Sequence, residues 1–402
     1  MKANKILISG ASVAGPALAY WLNRYGFEVT IVERAPGIRP GGYAVDFRGP
    51  AMQVLEQMDL IDAIKKHETR SGKITIVNKN NKKLASMPDA FTSGELEIMR
   101  GDLAGVFYEA TKNDTEYLFD NSITALQEDS DGVDVSFSNG ETRRFDLLVG
   151  ADGLHSNVRT LTFGEESRFM HHLNIYFAIF STPNFMNLKD MAGLYYGTLG
   201  KRVGVFSAKE DTEARASFYF ASPKLDYNYR DLAQQKEMIR SRFGNEQWQV
   251  PQLLKLMDEA PDFYFDSVSQ IRMDRWSKGR VGLLGDAGYC ASPMSGMGTS
   301  MAVVGAYILA GELQASAGDH LIAFKNYETK MRPLTTACQK LAEGAEWFVP
   351  QTTFKLWMSR QIWKILPHTP WKNMMIEMPL KAANAIVLPN YEQMGVLADT
   401  VY

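Results

Sequence analysis

The sequence predicts an α/β fold with three parts: a parallel-sheet domain with crossover helices, a second sheet-based domain, and a group of C-terminal helices. Three observations carry this expectation. The first 33 residues spell strand, glycine-punctuated turn, helix and strand. Aromatic and β-branched residues recur in short, glycine-broken runs from Phe169 to Phe220, and an apolar strand followed by a nearly uncharged helix occupies the stretch from Val281 to Leu313.

In the first unit, Ile6 to Ser9 is a short apolar run and Gly10 to Gly15 a turn. Pro16 suits the first turn of a helix, where its missing N–H costs nothing. Leu18, Trp21, Leu22 and Tyr25 then recur at helical spacing, and Phe27 to Val32 reads as a second strand ending at Glu33. Farther on, Asn78 to Lys83 reads as a hairpin tip, and Gly132 to Phe137 with Asn139-Gly140 as a strand and its turn, so that strands rather than helices fill this part. Between Phe169 and Phe220 the runs are broken by Pro183, Gly193, Gly197, Gly200 and Gly204, the pattern of a separate sheet. Val281 to Leu284 is a buried-type strand, and Thr299 to Leu313 an apolar helix that returns the chain to the first domain.

At 402 residues the chain suits two domains plus extensions. Its 45% hydrophobic and 22% charged residues, with a net charge of -3, exclude a disordered chain and a nucleic-acid binder and leave small molecules as expected partners. Cys290 and Cys338 have no metal-ligand spacing and allow at most one disulfide, so a reducing cytoplasm is the expected compartment. The apolar run after Lys5 is too short for a signal-peptide core or a membrane span.

Three motifs carry the chemistry. The first is Gly10-Ala11-Ser12-Val13-Ala14-Gly15 with Glu33 at the end of the second strand, a Rossmann-like dinucleotide fingerprint in which Ser12 replaces the middle glycine. Its first glycine makes the turn, its last lets helix and sheet pack closely, and an acidic residue at this place accepts from ribose hydroxyls. The second runs from Asp146 to Arg159 through Asp152-Gly153. Taken alone it is equally an apolar strand ending in an Asp-Gly turn. The third is the segment 279–287 with Gly285-Asp286, followed by Pro293 and by Gly296-Met297-Gly298 opening a helix. Asp286 would accept from a ligand hydroxyl, and the helix start would present its positive end.

Together the ordered motifs resemble the single-component FAD monooxygenases with the p-hydroxybenzoate hydroxylase fold, over nearly the whole chain. The resemblance implies FAD as cofactor, with Gly10, Ser12, Val13, Ala14, Gly15, Glu33 and Arg34 at its ADP half. It implies Arg48 and Arg100 beside the cofactor, Asp152 with Arg159 in a segment serving FAD and the nicotinamide, and Asp286 at the ribityl chain. Pro293, Gly296, Met297, Gly298 and Thr299 would border the flavin. Within this family the chain is similar to the tetracycline-inactivating monooxygenases, through residues 41–49, 97–103, 262–290, 304–313 and the tail 388–392. It departs from them at Met297 and Ser300, where the family has glutamine and asparagine.

The expected division is a discontinuous FAD-binding domain at 1–75, 97–165 and 275–340, a substrate domain at 76–96 and 166–274, and bridging helices at 341–402. The lone fingerprint argues against a second nucleotide-binding domain, so only FAD is expected to be held permanently; the resemblance implies NAD(P)H as a transient reductant, with molecular oxygen forming a C4a-hydroperoxyflavin that hydroxylates a polycyclic aromatic or polyketide substrate. A biosynthetic hydroxylase and a flavin-loaded drug-sequestering protein are the alternatives. No catalytic side chain is singled out, since the chemistry is flavin-centred. No metal site is expected at His155, His171 or His172, and His155 fits a helix start. Of Phe169, Tyr176, Phe177, Phe180, Tyr195, Tyr196, Phe206, Phe218 and Tyr219, a minority should line a pocket. The stretch from Trp347 to Lys381, rich in tryptophan and lysine, fits a brace between the domains, broken at Pro367, Pro370 and Pro379, rather than a membrane-surface helix.

Overall fold

The computed structural model describes residues 4–39, 41–69, 72–87 and 94–391. Residues 88–93 of the expected substrate domain and Glu392 of the tail segment lie outside them.

A six-stranded sheet forms the first layer, with Lys5–Ser9 between Glu28–Val32 and Leu147–Gly150, both parallel to it. Central parallel strands are covered on both faces, so the run Ile6, Leu7 and Ile8 is fully buried without alternation. Val281–Leu283 extends the sheet in parallel beyond Leu147–Gly150. The helix Ala14–Arg24 packs against Gly298–Ala315, with the Trp21 and Tyr307 rings edge-to-face at 4.9 Å. Gly298–Ala315 is apolar all round because it is buried all round. This pairing of helices sets two sequence motifs nearly 300 residues apart side by side.

The second layer is a seven-stranded sheet ordered Tyr264–Ile271, Met170–Pro183, Glu213–Ala221, Lys201–Ala208, Gly193–Thr198, Ile74–Val77 and Lys83–Met87. The last two form the hairpin expected at its Asn78 tip, where the Asn78 side chain accepts from Asn80 and Lys82 N–H, both at 3.0 Å. Alternation divides this sheet's aromatics. Tyr176, Phe180 and Phe218 face helices Leu232–Phe243 and Val250–Glu259 in one core, whereas Phe177 and Tyr219 face Phe348, Val349 and Met294.

Two expectations are corrected. Helix Arg100–Thr111 occupies a region expected to hold strands only; Leu103, Ala104, Phe107 and Thr111 bury one helical face, a period that Gly101 and Gly105 obscure. Pro379 lies inside helix Trp371–Ala383 and does not end it, because the one forfeited backbone bond is offset where that helix packs on His320–Leu341. The preceding helix Thr353–Ile365 does stop before Pro367, and it lies against the Lys83–Met87 strand. The C-terminal helices thereby touch both layers. Among the described residues no helix is long and apolar enough to cross a membrane.

Candidate cofactor and active site

The fingerprint turn is shaped by steric necessity. Gly10 has φ +110, and a Cβ there would meet the Ala151 carbonyl oxygen at 2.5 Å; one on Gly15 would collide with the Gly10 oxygen. The helix beginning at Ala14 has no side-chain cap at Val13, so its first-turn N–H groups are available to an anion. Glu33 is buried, and its two oxygens accept from Ala11 N–H and Ala35 N–H, each at 2.9 Å. That carboxylate therefore ties the turn to the second strand while also lining a cleft with Ala11, Ser12, Gly37, Arg39, Arg100 and Ala104. Arg34 is exposed at the same strand end. Arg39 is a lining residue that the motif did not reveal; its side chain is exposed, yet the protein crowding round the cleft pulls its guanidinium down, with Glu33 opposing. Its only sequence signal was the turn-forming Pro36-Gly37 before it.

Arg100 opens its helix at the end of strand Leu96–Met99, and its Nη1 donates to Ser12 Oγ at 3.3 Å. The loop Gly41-Gly42-Tyr43 clamps this start: Arg100 N–H donates to the Tyr43 carbonyl at 3.1 Å and Gly101 N–H to that of Gly41 at 2.9 Å. Gly42, at φ +94, leaves room for the Arg100 side chain, whose Nε lies 3.2 Å from where a Cβ would stand. Tyr43 is held by this loop, and burial pushes its phenol up to about 12. On strand Ala44–Phe47, Asp46 pairs with Arg48 at 2.6 Å. Burial raises the Asp46 carboxyl and Arg48 counteracts it.

The second and third motifs meet through Arg159. Asp152 caps the helix Asn157–Phe163, accepting from Ser156 Oγ at 2.5 Å, Asn157 N–H at 2.8 Å and Val158 N–H at 3.1 Å. Arg159, fully buried, donates to the Ala287 carbonyl at 2.9 Å and to Glu166 at 2.8 Å, which props the turn that carries Asp286. Asp286 itself is open to the cleft, though protein crowds round the cleft floor. That enclosure pushes its carboxyl up, while Cys290 and Arg100 pull it down. A Cβ on Gly285 would touch Ala14 Cβ at 3.4 Å, and one on Gly298 would lie 3.8 Å from Asp286 Oδ1. Fingerprint, Gly-Asp turn and following helix thus converge.

Pro293 and Gly296 are exposed and Gly298 and Thr299 half-buried along this edge, with Gly296 at φ +64 and no side-chain cap at Met297 for the long helix. Met297 and Ser300, the two departures from the family pattern, are both buried. Met297 packs in the main core, and the buried Ser300 has its Oγ 3.4 Å from the Asp46 carbonyl. Sequence reasoning missed Ser292, held at φ 88 and ψ 146, a region usually left to glycine. It also missed Tyr264, whose hydroxyl donates to Asp266 at 2.9 Å, and the link from Asp266 to His155 at 3.2 Å. His155 does precede a helix start, but both ring nitrogens contact carboxylates, with Glu166 at 3.0 Å on the other side. Cys290 and Cys338 are buried free thiols.

A dinucleotide cofactor needs phosphate donors, hydroxyl acceptors and close backbone approach. Two long helices start uncapped at the cleft. Arg48 Nε, Arg100 Nε and Asp46 Oδ1 are shut from solvent without a partner among the described residues, and Asp286 supplies an acceptor. Because buried polar atoms are almost always paired in a finished structure, these residues fit a bound dinucleotide.

The fold and this site define an FAD-binding flavoprotein. A family model described as FAD binding domain matches residues 3–340, and the chain belongs to that family. It is similar to a flavin-dependent monooxygenase of an unknown prokaryotic organism, 39% identical over 396 residues and covering 96% of this chain and 99% of that one. It is also similar to a flavin-dependent monooxygenase of Legionella longbeachae serogroup 1 (strain NSW150), 36% identical with 96% and 98% covered. Among solved structures, tetracycline destructase Tet(51) aligns with TM-score 0.86 at 35% identity, covering 97% of this chain and all of that one. Tet(55) aligns at 0.82 and 39%, with 97% and 99% covered. The chain is an FAD-dependent monooxygenase.

Proposed function

We propose that this monooxygenase uses NAD(P)H and molecular oxygen to hydroxylate a flat polycyclic phenol or polyketide, tetracyclines among them. The observation that carries the reading is the aromatic sheet face, Phe177 and Tyr219 with Phe348, packed against Met294 in the loop between Asp286 and Gly298. When bound, FAD supplies the redox and oxygen-activating chemistry. The chain would supply the rest: Asp286 would accept from a hydroxyl of the bound cofactor, and the uncapped helix start at Gly298 would present its positive end to it. The apolar face would exclude water from the site. A single fingerprint supports a nicotinamide that visits and leaves. We place FAD on residues 1–75, 97–165 and 275–340, the substrate on 76–96 and 166–274, and the bridge at 341–402; the strand Ile74–Val77 straddles the first boundary.

Tetracyclines are named because Tet(51) and Tet(55) are titled tetracycline destructases. Purified protein should be yellow, and a tetracycline or phenolic polyketide should stimulate its NADPH oxidation and leave a product heavier by one oxygen atom. Absence of flavin absorbance, or oxygen uptake that no compound in the panel stimulates, would sink the proposal. Met297 and Ser300, the positions behind the drug-sequestering alternative, are both buried.

A further inference from the structure

Strand alternation sends neighbouring cations of Lys201–Ala208 to opposite faces of the second sheet. Lys201 turns to the helix-covered face, 5.7 Å over the Phe243 ring and 2.8 Å from Glu246. Arg202 turns to the aromatic face. Its guanidinium lies 4.2 Å from the Phe348 ring centroid and 5.1 Å from that of Tyr195, and the residue is only 7% exposed. Among the described residues it has neither a carboxylate partner nor a hydrogen-bond acceptor. The contrast is Arg215 of the adjacent strand, equally buried but 3.4 Å from Glu213 and 4.0 Å from Asp262.

A second guanidinium approaches. Arg360, on helix Thr353–Ile365, donates to the carbonyl of Gly197, the cross-strand partner of Arg202, at 3.2 Å. Burial pulls Arg202 down from its ordinary value, the Tyr195 and Tyr219 phenols oppose it, and Arg360 is a cation near enough to pull it further. Aromatic faces offset part of the desolvation of a guanidinium but leave its in-plane N–H donors unused. With no carboxylate partner among the described residues, the donors of Arg202 are open to an anion, and Arg360 adds a second positive charge to its electrostatic surroundings. The planar fork of Arg202 matches a carboxylate or the paired oxygens of an enolised diketone. The position is specific: Tyr219, cross-strand from Arg202, stacks on Phe177 at 6.0 Å and meets Phe348 at 4.9 Å, on the face that reaches Met294 and the cofactor loop.

We propose that Arg202 and Arg360 form an anion subsite on the aromatic face, which takes the acidic oxygens of a flat ring ligand while its rings lie along Tyr219, Phe348 and Phe177. The subsite deepens the hydroxylase reading and rests on it for the direction of the ligand, ring end toward the flavin and acidic end toward Arg202.

The test is equilibrium dialysis of the FAD-loaded protein with two probes of one shape, 3-hydroxy-2-naphthoate and the uncharged 2-naphthol. Wild type should hold the carboxylate about tenfold or more tightly than the naphthol. Arg202→Met should erase that preference while leaving naphthol affinity and FAD content as in wild type, and Arg202→Lys should keep part of it because the charge remains but the planar fork is lost. Should Arg202→Met fail to fold, Arg360→Met is read in the same way. Wild type that binds neither probe, or shows no preference for the anion, overturns the subsite, as does a folded Arg202→Met protein that retains the preference. Because binding and not turnover is read, anion preference with no oxygen uptake from any substrate upholds the subsite while sinking the hydroxylation.

Discussion

Arg159 Nη1 donates to the Ala287 carbonyl at 2.9 Å, so the Asp-Gly segment supports the Gly-Asp turn from beneath. Replacing Arg159 by Met should remove this prop together with the bonds to Leu154 and Glu166. A loss of about 3 kcal/mol is expected, the low end for a broken buried pair because Glu166 stays partly in solvent. Denaturant unfolding and flavin content would both register it; an unchanged midpoint with full flavin would contradict the role.

Asp286 offers the sharper test of the cofactor floor. Asp286→Ala removes a charged acceptor worth about 1.5 to 3 kcal/mol to a hydroxyl partner. FAD retention through gel filtration should fall by about one to two orders of magnitude in dissociation constant. Equal occupancy in wild type and variant would refute the assignment.

Gly10→Ala tests the turn rather than the ligand. The added methyl meets the Ala151 carbonyl, and φ +110 is strained for any residue with a Cβ. A destabilisation of about 2 to 6 kcal/mol follows from strain and overpacking together. Gly26→Ala is the internal control: it shares a positive φ, +82, but has open space around its Cβ, so the smaller loss expected there measures strain alone. Equal losses at the two sites would argue against the contact.

His155 gives a pH signature. Burial opposes its charge, but bonds to Asp266 and Glu166 prevail and push the imidazole up to about 10. A pKa raised above the unfolded value of about 6.5 means that the His155 contribution is fully present below that pH and is lost as pH rises through about 10. The thermal stability gap between wild type and His155→Gln should therefore hold steady on the acid side of 6.5 and narrow from there to about pH 10. A gap that does not vary across that window would count against the charged network.

Much of the site was legible because dinucleotide binding imposes local rules. Gly10 and Gly15 are readable since a turn that tight excludes a Cβ, and Glu33 since the dinucleotide pattern calls for an acidic residue at the end of the second strand to accept from ribose hydroxyls. Helix Arg100–Thr111 escaped because its glycines mask the apolar period. Arg39, Tyr264 and Arg202 escaped for another reason: nothing in their neighbours along the chain says which face of a strand or loop meets the cleft. Asp152 shows the converse, a motif residue whose visible partners are a helix start.

The sequence by itself determined the α/β class and the FAD family and named the residues proposed for the two ends of the cofactor site, because steric and electrostatic demands within a few residues leave a readable spacing. Only the tertiary structure decided that Arg159 props the Asp286 turn, that Met297 packs in the core, and that Arg202 lies over the Phe348 ring with no carboxylate partner among the described residues. Those outcomes depend on which strands pair and which helices cover them, and packing of that kind joins residues whose separation along the chain carries no local signal.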